Sequence, residues 1–62
     1  MLDNLAQYRK EKHMTQNEVA KEAGITRPYY NMIERGLKRP APEVAKRIAK
    51  VLDFDWPIFY AE

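Results

Sequence analysis

The chain has 62 residues and no cysteine, so its length allows one domain, and disulfides and thiolate metal sites are excluded. With His13 as its one histidine, a histidine metal cluster is not expected either. The sequence shows neither a long apolar run nor a signal-peptide pattern, which predicts a cytoplasmic protein that does not enter a membrane. A chain this short depends on close helix packing rather than on a large core, and we expect no cofactor.

The charge is distributed unevenly along the chain. Asp53, Asp55 and Glu62 follow residue 52, and no lysine or arginine does. Residues 1–52 therefore carry all 11 basic residues against six acidic ones, a net charge of +5. This favours a polyanionic partner, although lysines on ordinary solvated helices would give a similar count.

The pattern of apolar residues is helical throughout, and the first helix is predicted to run to about Lys12. Asp3 or Asn4 is available as its N-cap. A second helix begins at the capping box formed by Thr15 and Glu18, in which each side chain accepts a hydrogen bond from the backbone N–H of the other residue.

The second and third helices are separated by a short turn. Gly24 ends the second helix because glycine readily adopts the left-handed conformation. Thr26 is the next N-cap, and Pro28 suits a first helical turn, so the third helix is predicted to begin at Arg27 or Pro28 and to end at Gly36.

A fourth helix is predicted to begin at Pro42, after the loop LKRPAP. Its apolar residues recur at helical spacing, and Asp53 to Asp55 end it. Residues 56–60 are predicted to form a last short turn that closes the core. The fold class predicted from the sequence is therefore all-α, a compact domain of four to five helices.

Two short helices joined by a glycine-containing turn form a helix-turn-helix, here over about residues 15–35. The segment TQNEVAKEAGITRPYYNMIERG resembles the Cro and phage-repressor family, also called Xre-like. It contains the TQ-x-x-[LV]-A opening, the G-[IV]-[ST] turn and the I-E-x-G ending of that family. A downstream pattern also matches, at Pro42, Ile48, Ala49 and Leu52, whereas the family usually has glycine in place of Asp53. The resemblance implies a single lambda-repressor-like DNA-binding domain over residues 1–62.

In such a domain the third helix lies in the major groove of DNA, with its first residues at the base edges. Arginine pairs with guanine, asparagine with adenine, and apolar side chains contact thymine methyl groups. A solvated first-turn role for Arg27 and a phosphate contact for the Tyr29 hydroxyl remain open alternatives. The residues predicted to contact bases are Arg27, Pro28, Tyr29, Asn31 and Met32, while Tyr30 and Ile33 face inward.

Phosphate contacts are predicted on both sides of this recognition helix. Gln16 lies in the first turn of the second helix, where N–H groups favour an anion, and the family uses a glutamine there to contact the DNA backbone. Arg35, Lys38 and Arg39 follow the recognition helix. The resemblance further implies that Arg9 and Glu34 pair with each other in a structural role.

One recognition helix reads only a few base pairs, so we expect a homodimer on a palindromic operator, with half-sites roughly 34–36 Å apart. The C-terminal segment DFDWPIFYAE is apolar enough to contribute a dimer surface. By helical spacing from Leu52, Trp56 and Phe59 are expected in the core. Pro57, Ile58 and Tyr60 are then left for the dimer interface, unless all of these side chains close the core.

The expected function is that of a sequence-specific DNA-binding transcriptional regulator, a repressor of phage, prophage or mobile-element type that occludes a promoter. Its partners would be double-stranded DNA and a protein antirepressor, and no catalytic set is visible that would indicate an enzyme. The alternative is a protein-binding module such as the antitoxin of a toxin–antitoxin pair. An antitoxin usually carries an additional arm, and this chain stops two residues after Tyr60, which favours the regulator.

Overall fold

A computed structural model of the chain describes residues 4–57. Over these residues it contains helices and no strand, which confirms the predicted all-α fold. None of the described helices is long and apolar enough to cross a membrane. The helices are α1 (Leu5–Glu11), α2 (Gln16–Ala23), α3 (Arg27–Glu34) and α4 (Pro42–Leu52), and residues 56 and 57 have 3-10 geometry.

Hydrogen bonds from side chains explain where α2 and α3 begin. The Thr15 hydroxyl oxygen accepts from the Glu18 N–H at 3.1 Å, and the Glu18 carboxylate accepts from the Thr15 N–H at 2.8 Å, so the predicted capping box is confirmed. The Thr26 hydroxyl oxygen accepts from the Tyr29 N–H at 3.2 Å. Helix α3 begins one residue before Pro28, whose missing N–H is not needed in a first turn.

Helix α1 begins with weaker local signals. Asn4 is its N-cap residue and accepts backbone hydrogen bonds from Gln7 and Tyr8, but its side chain makes no capping hydrogen bond. Asp3, the other predicted cap, lies outside the described residues. The helix is instead held by tertiary contacts, among them the burial of Leu5 and the stacking of Tyr8 on Phe54, with ring centroids 4.7 Å apart.

Each of the four helices α1 to α4 is followed, within two residues of its end, by a residue in the left-handed conformation. In each case the residue that follows donates its N–H to the carbonyl five positions earlier, at 2.8–3.2 Å, which satisfies a free helix-end carbonyl. Two of the four residues are the predicted glycines, and Asp53 adopts the conformation that glycine would take in the family, so the end of α4 keeps this geometry. The four are His13 (φ 57°), Gly24 (φ 72°), Gly36 (φ 77°) and Asp53 (φ 62°).

The core is apolar and receives side chains from all four helices. Helix α2 packs against both α3 and α4, and its alanines at positions 20 and 23 allow close approach of the neighbouring helices. Trp56 also packs against this core, as predicted, whereas Phe59 lies outside the described residues. The buried hydrophobic residues are Leu5, Val19, Ala20, Ala23, Tyr30, Ile33, Ala45, Ile48, Ala49 and Leu52.

Candidate nucleic-acid interface

Helix α3 has one buried face and one face open to solvent. Tyr30 and Ile33 point into the core, with relative exposures of 0% and 3%, as the sequence predicts. Arg27 and Pro28 are exposed in its first turn, and Met32 is half-buried on the following turn. The helix therefore offers its N-terminal end and outer face for contact, which is how a recognition helix meets base edges.

The two adjacent tyrosines, Tyr29 and Tyr30, differ less in burial than the sequence predicts. Tyr30 is fully buried, but Tyr29 is only half-buried and also packs against the core. Consecutive helical residues are about 100° apart around the axis, so the Tyr29 ring lies along the edge of the core while its neighbour fills the centre. A DNA contact by Tyr29 stays a prediction, and part of its side chain has a packing role.

Arg9 and Glu34 form the ion pair that the family resemblance implied. Arg9 Nε donates to Glu34 Oε2 at 2.9 Å, and Arg9 Nη2 donates to Glu34 Oε1 at 3.1 Å. A third bond runs from Arg9 Nη1 to the Met14 carbonyl at 2.9 Å. The side chains are only 15% and 8% exposed, so this two-bond pair ties α1 to α3 in a largely desolvated position.

The ionisation of the groups around this pair follows from the same contacts. Burial of Glu34 favours its neutral form, but hydrogen bonds from Arg9 and Gln16 outweigh burial and hold the pKa of Glu34 below its usual value. Burial, and then the nearby carboxylate of Glu34, raise the pKa of Tyr30 far above that of an exposed tyrosine. The Tyr30 hydroxyl lies beside the pair, but residues 4–57 offer it no hydrogen-bond partner of regular geometry.

Gln16 connects the ion pair to the recognition helix. Its Nε2 donates to Glu34 Oε1 at 3.0 Å, and its Oε1 accepts from Asn31 Nδ2 at 3.1 Å. The carboxamide of a predicted phosphate-contacting residue is thus held between two residues of α3. These contacts were not predicted from the sequence, although the three-residue spacing of Asn31 and Glu34, which places both on one side of α3, was a signal for them.

The basic residues predicted to contact phosphates after α3 lie on a loop that folds back on the helix. The N–H groups of Leu37 and Lys38 both donate to the Met32 carbonyl, at 2.8 and 3.2 Å. Arg35, Lys38 and Arg39 are exposed, and Leu37 is exposed by 63%. This loop brings positive charge to the C-terminal end of α3, while Gln16 lies on the side of the helix that faces α2.

The predicted dimer surface is described only in part. Pro57 is exposed, whereas Ile58 and Tyr60 lie outside the described residues. Trp56, the residue before Pro57, lines a shallow apolar depression together with Arg39, Pro40 and Pro42. Lys46 lies over the Trp56 ring, with its Nζ 5.0 Å from the centroid, and covers part of this aromatic surface.

Comparison with known proteins assigns the family. The helix-turn-helix family model matches residues 5–59. The chain is 50% identical over 58 residues to an uncharacterised HTH-type transcriptional regulator, YqaF of Bacillus subtilis, covering 94% of this chain and 76% of that protein. It is 43% identical over 47 residues to the ImmF control region 10 kDa protein of Bacillus phage phi105, covering 76% of this chain and 52% of that protein.

A solved structure shows the same architecture. The N-terminal DNA-binding domain of SinR from Bacillus subtilis superposes with a TM-score of 0.84 at 33% identity, covering 95% of this chain and 87% of that chain. Against the full-length SinR sequence the chain spans 45% of the relative's length. The chain belongs to the Cro- and phage-repressor-like helix-turn-helix family of DNA-binding transcriptional regulators.

Proposed function

We propose that this chain represses transcription by binding, as a homodimer, to a palindromic operator that overlaps a promoter. The observation that carries the proposal is the exposed first turn of α3, with Arg27 and Pro28, on a helix whose opposite face is fully buried. A rigid helix that presents its N-terminal residues outward suits direct reading of base edges. The phage control-region protein among the relatives of this chain supports a regulator of phage or prophage type.

The roles within this interface follow from position and chemistry. Arg27 pairs with guanine O6 and N7, and Pro28, Tyr29 and Met32 supply apolar contacts to thymine methyl groups. Gln16 contacts a phosphate on one side of α3. The exposed residues Arg35, Lys38 and Arg39 contact phosphates on the other side, which positions the protein without reading sequence.

Dimerisation would use the C-terminal surface that begins at Pro57, with Ile58 and Tyr60 as the further proposed contacts. The apolar depression lined by Pro42 and Trp56 contains the residue that precedes Pro57 in the chain, and it supports this choice. The relatives are named as transcriptional regulators or as a phage control protein, which favours a regulator over the antitoxin alternative. A protein antirepressor remains the proposed means of control.

The proposal is tested by selecting bound sequences from a random pool of DNA duplexes with the full chain. We expect a two-fold symmetric consensus with half-sites about one helical turn apart. Arg27→Ala should relax the preference at a single base pair of each half-site, by roughly 1–3 kcal/mol of discrimination. Lys50→Ala, which removes an exposed positive charge from α4, is the matched control and should leave the consensus unchanged.

Selection that yields no consensus, with equal affinity for all duplexes, would refute the proposal. Uniform weakening by Arg27→Ala would instead assign Arg27 to a phosphate. Analytical ultracentrifugation of the complex with a single duplex gives the stoichiometry, and one protomer on a full operator would exclude the homodimer.

A further inference from the structure

The side chains of Arg9, Glu34, Gln16 and Asn31 form one continuous chain of hydrogen bonds that links α1 to the side of α3 that faces α2. Arg9 binds both oxygens of Glu34, Glu34 accepts from Gln16 at 3.0 Å, and Gln16 accepts from Asn31 at 3.1 Å. We call these four side chains the Gln16 bridge. The Gln16 bridge connects three helices at the edge of the proposed DNA surface.

Within the Gln16 bridge, the orientation of the Gln16 carboxamide follows from the chemistry of its neighbours. An ionised Glu34 only accepts hydrogen bonds, and Arg9 keeps it ionised, so the group of Gln16 that faces Glu34 is the NH₂. The oxygen of Gln16 then faces Asn31, whose NH₂ is the donor it requires. One N–H of Gln16 is used by Glu34, and its second N–H is left to donate to another acceptor.

We propose that Asn31 is a positioning residue that holds Gln16 ready for a DNA phosphate, and that it does not read a base. The side-chain donor of Asn31 is directed across to α2, and Asn31 is half-buried there. Asn31 occupies the oxygen of Gln16, which would repel a phosphate, and so leaves an N–H as the group that Gln16 presents. This assignment rests on the proposed DNA-binding function, and it replaces adenine pairing as the role of Asn31.

Holding Gln16 in place has a physical advantage for binding. A free glutamine loses side-chain rotamer freedom when it contacts a ligand, whereas Gln16 is already held in the unbound protein by two hydrogen bonds. Preorganisation of this kind lowers the entropic cost of binding, and its loss should weaken the complex without changing which bases are preferred.

The test uses the full chain and the operator obtained from the random-pool selection. Gln16→Ala is expected to weaken binding by about tenfold or more, the range for one hydrogen bond to a charged group. Asn31→Ala is expected to weaken it by about two- to tenfold, because Gln16 is still present but no longer held by Asn31. The double variant should bind no more weakly than Gln16→Ala alone, because Asn31 acts only through Gln16. Repeated selection with Asn31→Ala should return the wild-type consensus.

Phosphate ethylation interference separates positioning from a general structural effect. Ethylation of one phosphate in each half-site should weaken the wild-type complex, should weaken the Asn31→Ala complex less, and should have no effect on Gln16→Ala. Gln7→Ala is the matched carboxamide control, since the hydrogen bond of Gln7 to Glu11 stays within α1. Alanine has the highest helix propensity, so Asn31→Ala should fold, which circular dichroism would verify.

Three results would overturn the proposal: a relaxed preference at one base pair in Asn31→Ala, unchanged affinity of that variant, or costs that add in the double variant. The first would establish Asn31 as a base reader and the second would make the Gln16 bridge irrelevant to binding. The proposed function fails on a different result, the absence of any consensus for the wild-type chain, so the two failures are distinguishable.

Discussion

Replacing Arg9 by methionine should remove a large share of the stability of this domain. The substitution keeps an unbranched apolar stem of similar length and deletes the three hydrogen bonds that the guanidinium makes to Glu34 and to the Met14 carbonyl. Glu34 would keep a side chain only 8% exposed, with Gln16 as its remaining hydrogen-bond partner among the described residues. An uncompensated charge in that position is unfavourable.

The magnitude follows from the burial of the pair. Removing one partner of a buried ion pair costs about 3–5 kcal/mol, and the lower end applies here because Arg9 is 15% exposed. A domain of 62 residues has a free energy of unfolding of roughly 3–9 kcal/mol. The substitution should therefore remove a third or more of the total and lower the urea midpoint of unfolding.

Urea denaturation at pH 7, followed by far-ultraviolet circular dichroism, measures the effect. The matched control is Arg47→Met, which deletes an ion pair of 2.7 Å with Glu43 on α4, where the side chains are 50% and 76% exposed. That shorter but solvated pair should cost no more than about 0.5 kcal/mol. The double variant Arg9→Met with Glu34→Leu should recover much of the loss, because it no longer buries an unpaired charge.

Equal costs for Arg9→Met and Arg47→Met would refute this reasoning, because burial would then not decide the value of an ion pair in this domain. Additive costs in the double variant would refute it as well. In that case the loss would come from packing around each side chain and not from the charge that the first substitution leaves behind.

Three other predictions concern stability. The pKa of Glu34 is depressed in the folded state, so the stability that its ionised form contributes is present above the ordinary glutamate pKa of about 4.3 and is lost as the pH falls through the folded pKa. The free energy of unfolding, measured over an acid pH series, should show this loss in the wild type and a flatter profile in Glu34→Gln. Tyr30→Ala should lower the free energy of unfolding by about 3–5 kcal/mol, because its side chain is fully buried. Tyr29→Ala should lower it by about 1 kcal/mol and should weaken operator binding more than it weakens folding. Equal losses of unfolding free energy in denaturation curves would contradict the difference in burial. Asp53→Gly should raise the melting temperature, because glycine adopts the left-handed conformation without the cost of about 1 kcal/mol that a side chain brings. The exposed Lys12–Asp53 pair at 3.6 Å, which the substitution removes, contributes little. A lower melting temperature would show that this ion pair outweighs the backbone effect.

Local sequence determines where α2 and α3 begin and end. Thr15 with Glu18, Thr26 and Pro28 are capping signals that act within three residues, so the starts of α2 and α3 were predictable from spacing alone. Gly24 and Gly36 marked two of the left-handed ends. His13 and Asp53 adopt the same conformation without being glycine, and His13 could not be predicted from its identity because histidine has no strong preference for a left-handed backbone.

Helical periodicity likewise predicted the apolar face of α4 and agrees with the inward position of Tyr30 and Ile33 on α3, because apolar side chains three or four positions apart share one face. The half-burial of Tyr29 was not predictable in this way, since it depends on how far the core extends around the edge of α3. The pairing of Arg9 with Glu34 came from the family resemblance and not from the spacing of residues along the chain.

The contacts of Gln16 with Asn31 and Glu34 were decided by the tertiary structure. Each of these polar residues has several possible partners when it is considered within its own helix, and sequence spacing limits them only to a face. The crossing of α2 against α3 brings one carboxamide within 3.1 Å of Asn31 and 3.0 Å of Glu34, and that crossing is set by the packing of the core beneath it. The sequence by itself determined the helices and the family, whereas the geometry of the side chains proposed to face DNA depends on packing between residues that are distant in the chain.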